Sequence, residues 1–206
     1  MEIIYTTNVS TAAYEPKLMV TIDAVNKMFS CPPIFVASNG IDCFSQPITT
    51  NVHLKKWGSN QGWQLGALNG ILQGLRFAAE SVDSPSCPIL TSHEDTYPVN
   101  KQKIASLIKL LDEYDFVCRR YVGTAHVISP SDDYPYCVIS DMIFSPRILK
   151  LFRDIEPVME LHPNRCAEEM FGHIAINMGL KPMFIPIPQD REMTETDVGF
   201  FHNHRH

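Results

Sequence analysis

The chain has 206 residues, of which 45% are hydrophobic and 19% charged. That composition excludes a disordered, collagen-like or coiled-coil protein, and a chain this long buries a core without help from disulfides or metal. Its 17 basic and 23 acidic residues leave a net charge of −6, which excludes a broad electrostatic surface for nucleic acid, because phosphate contacts need a basic face. No apolar run approaches the roughly 20 residues that span a bilayer. Met1-Glu2-Ile3-Ile4-Tyr5 lacks a basic leader region. The 6 cysteines, at 31, 43, 87, 118, 137 and 166, form no C-x-x-C pair, so zinc-ribbon and thioredoxin chemistry are excluded. The expectation is a cytoplasmic protein with buried thiols.

Strand and helix patterns then alternate along one expected domain, residues 1–206. Ile3–Thr7 reads as a buried strand ended by Asn8 and Ser10. Leu18, Ile22, Val25 and Met28/Phe29 recur at helical spacing until Cys31-Pro32-Pro33 stops them. Ile34–Ala37 is a second strand, and two strands joined by a helix predict a parallel βαβ unit. Residues 41–62 carry no clear pattern and read as a functional loop. Leu68, Ile71, Leu72, Leu75 and Ala78/Ala79 share a helix face. Pro88–Thr91 is a strand, and Ile104, Leu107, Ile108 and Leu111 mark another helix. Phe116–Cys118 and Tyr136–Ser140 read as strands. Ser145-Pro146 opens a short helix with serine as N-cap, and Pro163 opens a longer one that Gly179 stops. Met183–Pro186 is the last strand, followed by a polar tail. The predicted fold class is α/β, a Rossmann-like domain with a mostly parallel central sheet and helices on both faces.

Several constellations carry chemistry. His93-Glu94-Asp95 directly follows a strand, and ligands of open α/β sheets bind at the carboxyl ends of strands. Carboxylates there either hold a hard cation that clamps a diphosphate, or cap the next turn. Gly62 permits close approach of backbone, and Asn69 lies near the start of its helix. Glu168-Glu169 sits in the first turns of a helix, where acidic residues favour the dipole. A general base there needs only one of the two. His202, His204 and His206 alternate, so they either present imidazoles on one side for manganese or zinc, or form an exposed chain end. Cys166 at a helix start reads as a core residue rather than a nucleophile. Among later polar residues, His126, Asp132, Asp133 and Asp141 are candidates for ligand contacts, with Asp141 preferred and the two preceding aspartates read equally as turn residues. P-loop and G-x-S-x-G motifs are missing.

Taken in order, these elements resemble the GT-A fold glycosyltransferases, above all family 2. That family shows N-x-G, then A-R-N-x-G, a helix, an apolar strand ending in D-x-D, and later an E-D pair opening a helix. This chain has Asn60-x-Gly62, Ala67-Leu68-Asn69-Gly70, Ile89–Asp95 ending in His93-Glu94-Asp95, and Glu168-Glu169. It departs at Leu68, where a basic residue is usual, at His93 in place of the first aspartate, and at Glu169 in place of an aspartate. The resemblance covers about residues 2–187, with a nucleotide-binding half at about 1–97, an acceptor half at about 98–187 and a tail at 188–206. Similar small domains also occur as modules of larger viral or bacterial glycan-building proteins.

The resemblance implies a metal-dependent enzyme that moves a sugar from a nucleoside diphosphate sugar, UDP-linked for preference, to an acceptor hydroxyl with inversion. It implies that Thr6, Thr7 and Asn8 hold base and ribose, with Asn39 and Asp42 beside them and Gly62 and Asn69 lining the donor site. His93, Glu94 and Asp95 would meet the diphosphate. Asp95 would hold Mn²⁺ or Mg²⁺, with His93, His202 or His204 completing the shell, and Glu169 or Glu168 would act as base. A catalytically silent glycan-binding module and a sugar nucleotidyltransferase are the alternatives. Against the latter, residues 1–15 contain no glycine for a phosphate-binding loop.

Overall fold

The structure, a computed structural model, describes residues 1–40, 49–58, 61–122, 133–188 and 199–202. In chain order its elements are β1 (Ile4–Val9), α1 (Glu15–Phe29), β2 (Ile34–Asn39), β3 (Val52–Trp57), α2 (Trp63–Ser81), β4 (Ile89–Ser92) and β5 (Thr96–Pro98). There follow α3 (Lys101–Ile108), β6 (Phe116–Val122), β7 (Val138–Phe144), a 3-10 helix (Pro146–Phe152), α4 (Ala167–Asn177), β8 (Pro182–Pro188) and β9 (Phe200–His202). Seven strands form one sheet in the order β3-β2-β1-β4-β7-β6-β8, and β5 pairs with β9 in a second. Within the large sheet only β7 runs antiparallel to its neighbours.

Both faces of that sheet are covered, which is why β1, β2, β4 and β7 read as continuous buried runs rather than alternating ones. On one face Tyr5, Val9, Val36, Leu90 and Ile143 pack with Leu18, Ile22 and Val25 of α1 and Ile104 and Leu107 of α3. On the other, Ile4, Phe35, Ile89 and Phe144 pack with Leu68, Ile71, Leu72 and Leu75 of α2, Phe152, and Met170 and Phe171 of α4. Each fully buried side chain of this size contributes about 1.5–3 kcal/mol.

The chain departs from its sequence reading at several element ends. Asn8 does not terminate its strand but lies inside β1, paired with Ala37, and β2 runs on past Ala37 to Asn39, which pairs with Trp57. The unpatterned 41–62 segment contains β3, an edge strand with Lys55 and Lys56, whose half-exposed residues show no apolar alternation. The opposite edge, β8, is protected by prolines at 182, 186 and 188. Helix α4 starts at Ala167, not Pro163, because Asn164 is left-handed at φ 62°. The helix after Ser145 is 3-10, and the Ser145 side chain does not cap it. Gly179 does close α4, at φ 72°, with Leu180 N–H donating to Ala175 O at 2.9 Å. Cys118 and Cys137 are buried, whereas Cys31 is exposed and Cys87 and Cys166 are half-buried, so only part of the described thiols sit in the core. Among the described residues no helix is long and apolar enough to cross a membrane.

Candidate active site

The chain moves outward from β1 to β2 and β3, then returns to β4 on the other side of β1. The carboxyl ends of β1 and β4 therefore lie side by side at a topological switch point, where open α/β sheets bind ligands. A cleft of about 220 Å³ opens there. Asn8 and the residues just past β1 (Ser10, Thr11 and Tyr14) form one wall. His93, Glu94 and Asp95, just past β4, form the second, and Gly62 and Ala67 at the start of α2 form the third. Gly62 is the N-cap of α2 at φ 77°, ψ −174°, a conformation open essentially only to glycine. It turns the amino end of a 19-residue helix toward the cleft, and that end favours anions.

The acidic wall divides its labour. Glu94 is buried and accepts hydrogen bonds from Ser10 Oγ at 2.5 Å and Ser10 N–H at 3.4 Å. Burial pushes its carboxyl above the usual range, with the Ser10 hydroxyl opposing the shift. Its main-chain carbonyl accepts from Thr21 Oγ1 at 2.9 Å, which ties the wall to α1. Asp95 is half-exposed, with Thr96 Oγ1 at 3.5 Å from its Oδ1. His93 is fixed by its main chain, donating to Ser140 O at 3.2 Å, while its side chain lines the cleft. Register places His202 opposite Thr96, one residue beyond Asp95. Among the described residues no three His, Cys, Asp or Glu side chains converge as a ready-made metal site. One carboxylate beside an anion-favouring helix end nevertheless suits a cation that arrives with its own phosphate ligands, the usual manner of Mg²⁺.

The sequence-predicted residues separate accordingly. Asn8, Gly62, His93, Glu94 and Asp95 share this cleft. Asn39 and Asn69 line a neighbouring smaller one. Thr6 and Thr7 line neither: both lie within the strand and are buried, and Thr6 Oγ1 is hydrogen-bonded to Thr91 Oγ1 at 2.7 Å. Asn69 is mostly committed to structure. Its amide clamps the 158 segment, accepting from Val158 N–H and donating to Val158 O, both at 2.8 Å, and donates to Gln61 Oε1 at 2.6 Å. Asp141 does not follow a strand but sits inside β7, ion-paired with Arg119. Asp42, His126, Asp132 and His204 fall outside the described residues. Ser10, Thr11 and Tyr14 were not anticipated as wall residues. Their signal was position alone, as the polar stretch after the first strand.

Glu168 and Glu169 open α4. Because β7 is antiparallel, its first residues lie at the carboxyl edge of β4, and Cys137 N–H donates to Glu168 O at 3.3 Å, so the start of α4 is held at the same edge as the cleft. Glu169 is 1% exposed, accepts from Cys166 N–H at 3.1 Å and pairs with Arg165 Nη1 at 3.1 Å. It closes its own helix start, which leaves it poorly placed to take a proton. Glu168 is half-buried, and burial raises its pKa. Cys166 is no thiolate: burial pushes it up to about 12.

The fold is GT-A-like, similar to that of solved nucleotide-sugar transferases. A glycosyltransferase involved in glycosylation of the major capsid of the virus PBCV-1 superposes over 100% of this chain and 96% of its own, at TM-score 0.55 and 15% identity. The 4-diphosphocytidyl-2C-methyl-D-erythritol synthase of Anaerococcus prevotii matches 96% of this chain and 92% of its own, at TM-score 0.53 and 10% identity. The bifunctional IspDF of Campylobacter jejuni matches at TM-score 0.53 and 16% identity, and this chain spans 51% of its length. At such identities the likeness is one of fold. No protein-family model and no curated protein matches the sequence.

Proposed function

We propose that the chain is a glycosyltransferase that moves a sugar from a UDP-type nucleoside diphosphate sugar to a hydroxyl of an acceptor glycan, with inversion. The observation that carries this reading is the cleft at the β1/β4 switch point, which Asp95 lines together with the amino end of α2. An anionic diphosphate fits against the helix end, and a carboxylate on the opposite wall repels it unless a cation lies between them. Mn²⁺ or Mg²⁺ held by Asp95, with His93 beside it and His202 near in register, would neutralise charge on the departing diphosphate. His204 is the other candidate from the tail.

Of the two glutamates opening α4, Glu168 is the better base, because Glu169 is committed to its helix start. Glu168 would take the acceptor hydroxyl proton as that oxygen bonds to the anomeric carbon. The bond from that carbon to the β-phosphate oxygen breaks in the same step, and the nucleoside diphosphate leaves. The cysteines suit the cytoplasm, where thiols stay reduced.

The deciding experiment is calorimetric titration of UDP with and without Mn²⁺, repeated with Asp95→Ala. Cation-dependent binding that weakens at least tenfold in the variant is the expected result. Binding that is indifferent to the cation and to Asp95 overturns the metal assignment, and no binding overturns the UDP-dependent reaction. A second reading, sugar nucleotidyltransfer, is favoured by the fold shared with the A. prevotii synthase. Release of pyrophosphate from a nucleoside triphosphate and a sugar phosphate would select it.

A further inference from the structure

Beside the main cleft lies a smaller open one of about 50 Å³, between the carboxyl ends of β2 and β3 and the first half of α2. Its walls include Ala37, Gly58 and Pro157. Gln73, one helical turn beyond Asn69, also lines it and is 2% exposed. Among the described residues neither amide atom of Gln73 has a hydrogen-bond partner, nor does the indole Nε1 of Trp57, which lines the same cleft from the end of β3. Buried polar groups are completed by a partner in nearly all proteins, so three orphaned atoms around one opening mark a place where something else completes them.

The two clefts adjoin. Gln61 lines the smaller and Gly62 the larger, while Asn69 and Gly70 line the smaller and Ala67 the larger. Resting on the nucleotide-sugar reading above, we propose that the smaller cleft receives the edge of the donor's base, and that Gln73 and Trp57 select a pyrimidine. A carboxamide offers one acceptor and one donor side by side, and an indole offers one further donor. The complement is a ring edge with a donor and an acceptor for Gln73 and a second acceptor for Trp57. Uracil presents O4, N3–H and O2 in that pattern, and cytosine presents N4–H, N3 and O2 to the same pair with the amide turned over. Guanine places its N2 amino donor where Trp57 needs an acceptor, and adenine has no third polar group on that edge. The small opening takes a ring edge only, leaving ribose and diphosphate to run past Gly62 toward Asp95.

The test compares UDP, CDP, ADP and GDP, equal in charge and differing only in base, titrated into the full chain with Mn²⁺. UDP and CDP should bind at least tenfold more tightly than ADP and GDP. Gln73→Leu should reduce the pyrimidine nucleotides to the purine level while holding or raising the melting temperature, because it removes an orphaned buried amide. Trp57→Phe should weaken the pyrimidine nucleotides severalfold. Equal binding of all four overturns the base readout and leaves the transferase reading standing. A pyrimidine preference that survives Gln73→Leu overturns it also, and a fall in melting temperature alone would make Gln73 a structural, water-bridged residue. Failure of all four to bind overturns the nucleotide-sugar reading itself.

Discussion

Glu168 and Glu169 are neighbours in sequence, yet their surroundings give them different work. Glu169 spends its carboxylate on Cys166 N–H and Arg165, so Glu169→Gln should cost about 1–2 kcal/mol of stability through the lost charged cap, read by denaturant titration. Glu168→Gln should lower the transfer rate by at least about 100-fold, the usual worth of a general base, with nucleotide affinity unchanged. The raised pKa of Glu168 also sets a sign for stability against pH. The folded state holds the proton more tightly than the unfolded chain, so this contribution is complete below the ordinary carboxylate value of 4.5 and is lost as pH rises through the higher folded value. Glu168→Gln should therefore gain stability relative to the parent between pH 4.5 and neutrality, measured by unfolding at both ends. Motif order alone put the pair at this helix start. Which of the two is the more tightly held was not legible, because it depends on Arg165 and the Cys166 N–H closing around the Glu169 carboxylate in three dimensions.

At the scale of elements, α2 lies on the sheet through glycines 66, 70 and 74. A methyl at Gly70 would meet the Asn8 side chain at 2.7 Å, and one at Gly66 would meet Asn39 Nδ2 at 2.5 Å, whereas one at Gly74 finds its nearest neighbours at 3.5 Å. Close approach of helix to strand thus holds two candidate site asparagines in place. Gly70→Ala should cost about 1–3 kcal/mol through overpacking and weaken nucleotide binding by displacing Asn8. Gly74→Ala should be neutral or stabilising by up to about 1 kcal/mol through helix propensity. Paired thermal melts and titrations separate the two. The apolar face of α2 was legible from its period, but the glycine stripe was not, since its meaning lies in what opposes it across the sheet. The same limit hid β3 and β5: an edge strand with two lysines and a three-residue strand carry little apolar pattern of their own.

At the scale of the whole molecule, the antiparallel β7 joins the strands that carry the cleft to β6 and β8. It is fastened by a buried polar network. A register shift between Cys118 and Arg119 marks a bulge in β6, and Arg119, 1% exposed, grips both carboxylate oxygens of Asp141, with Nε to Oδ2 at 2.8 Å. Its Nη2 also donates to Ser140 Oγ at 2.7 Å, and the carbonyl of Ser140 accepts from His93 N–H. Beside this pair, Tyr5 OH is hydrogen-bonded to Ser92 Oγ at 2.6 Å. A buried ion pair contributes little net stability, because desolvation offsets its attraction, yet removing one partner strands a charge. Arg119→Met should therefore destabilise by about 3–5 kcal/mol, while Arg119→Met with Asp141→Leu should fold at or above the parent's stability. The paired variant isolates what the network does besides stabilise. If it positions the residues past β4, the paired variant melts like the parent but binds UDP with Mn²⁺ several times more weakly, because Ser140, whose carbonyl holds the His93 main chain, has lost its own anchor. Parent-like affinity in a parent-like fold would reduce the network to a relic of packing.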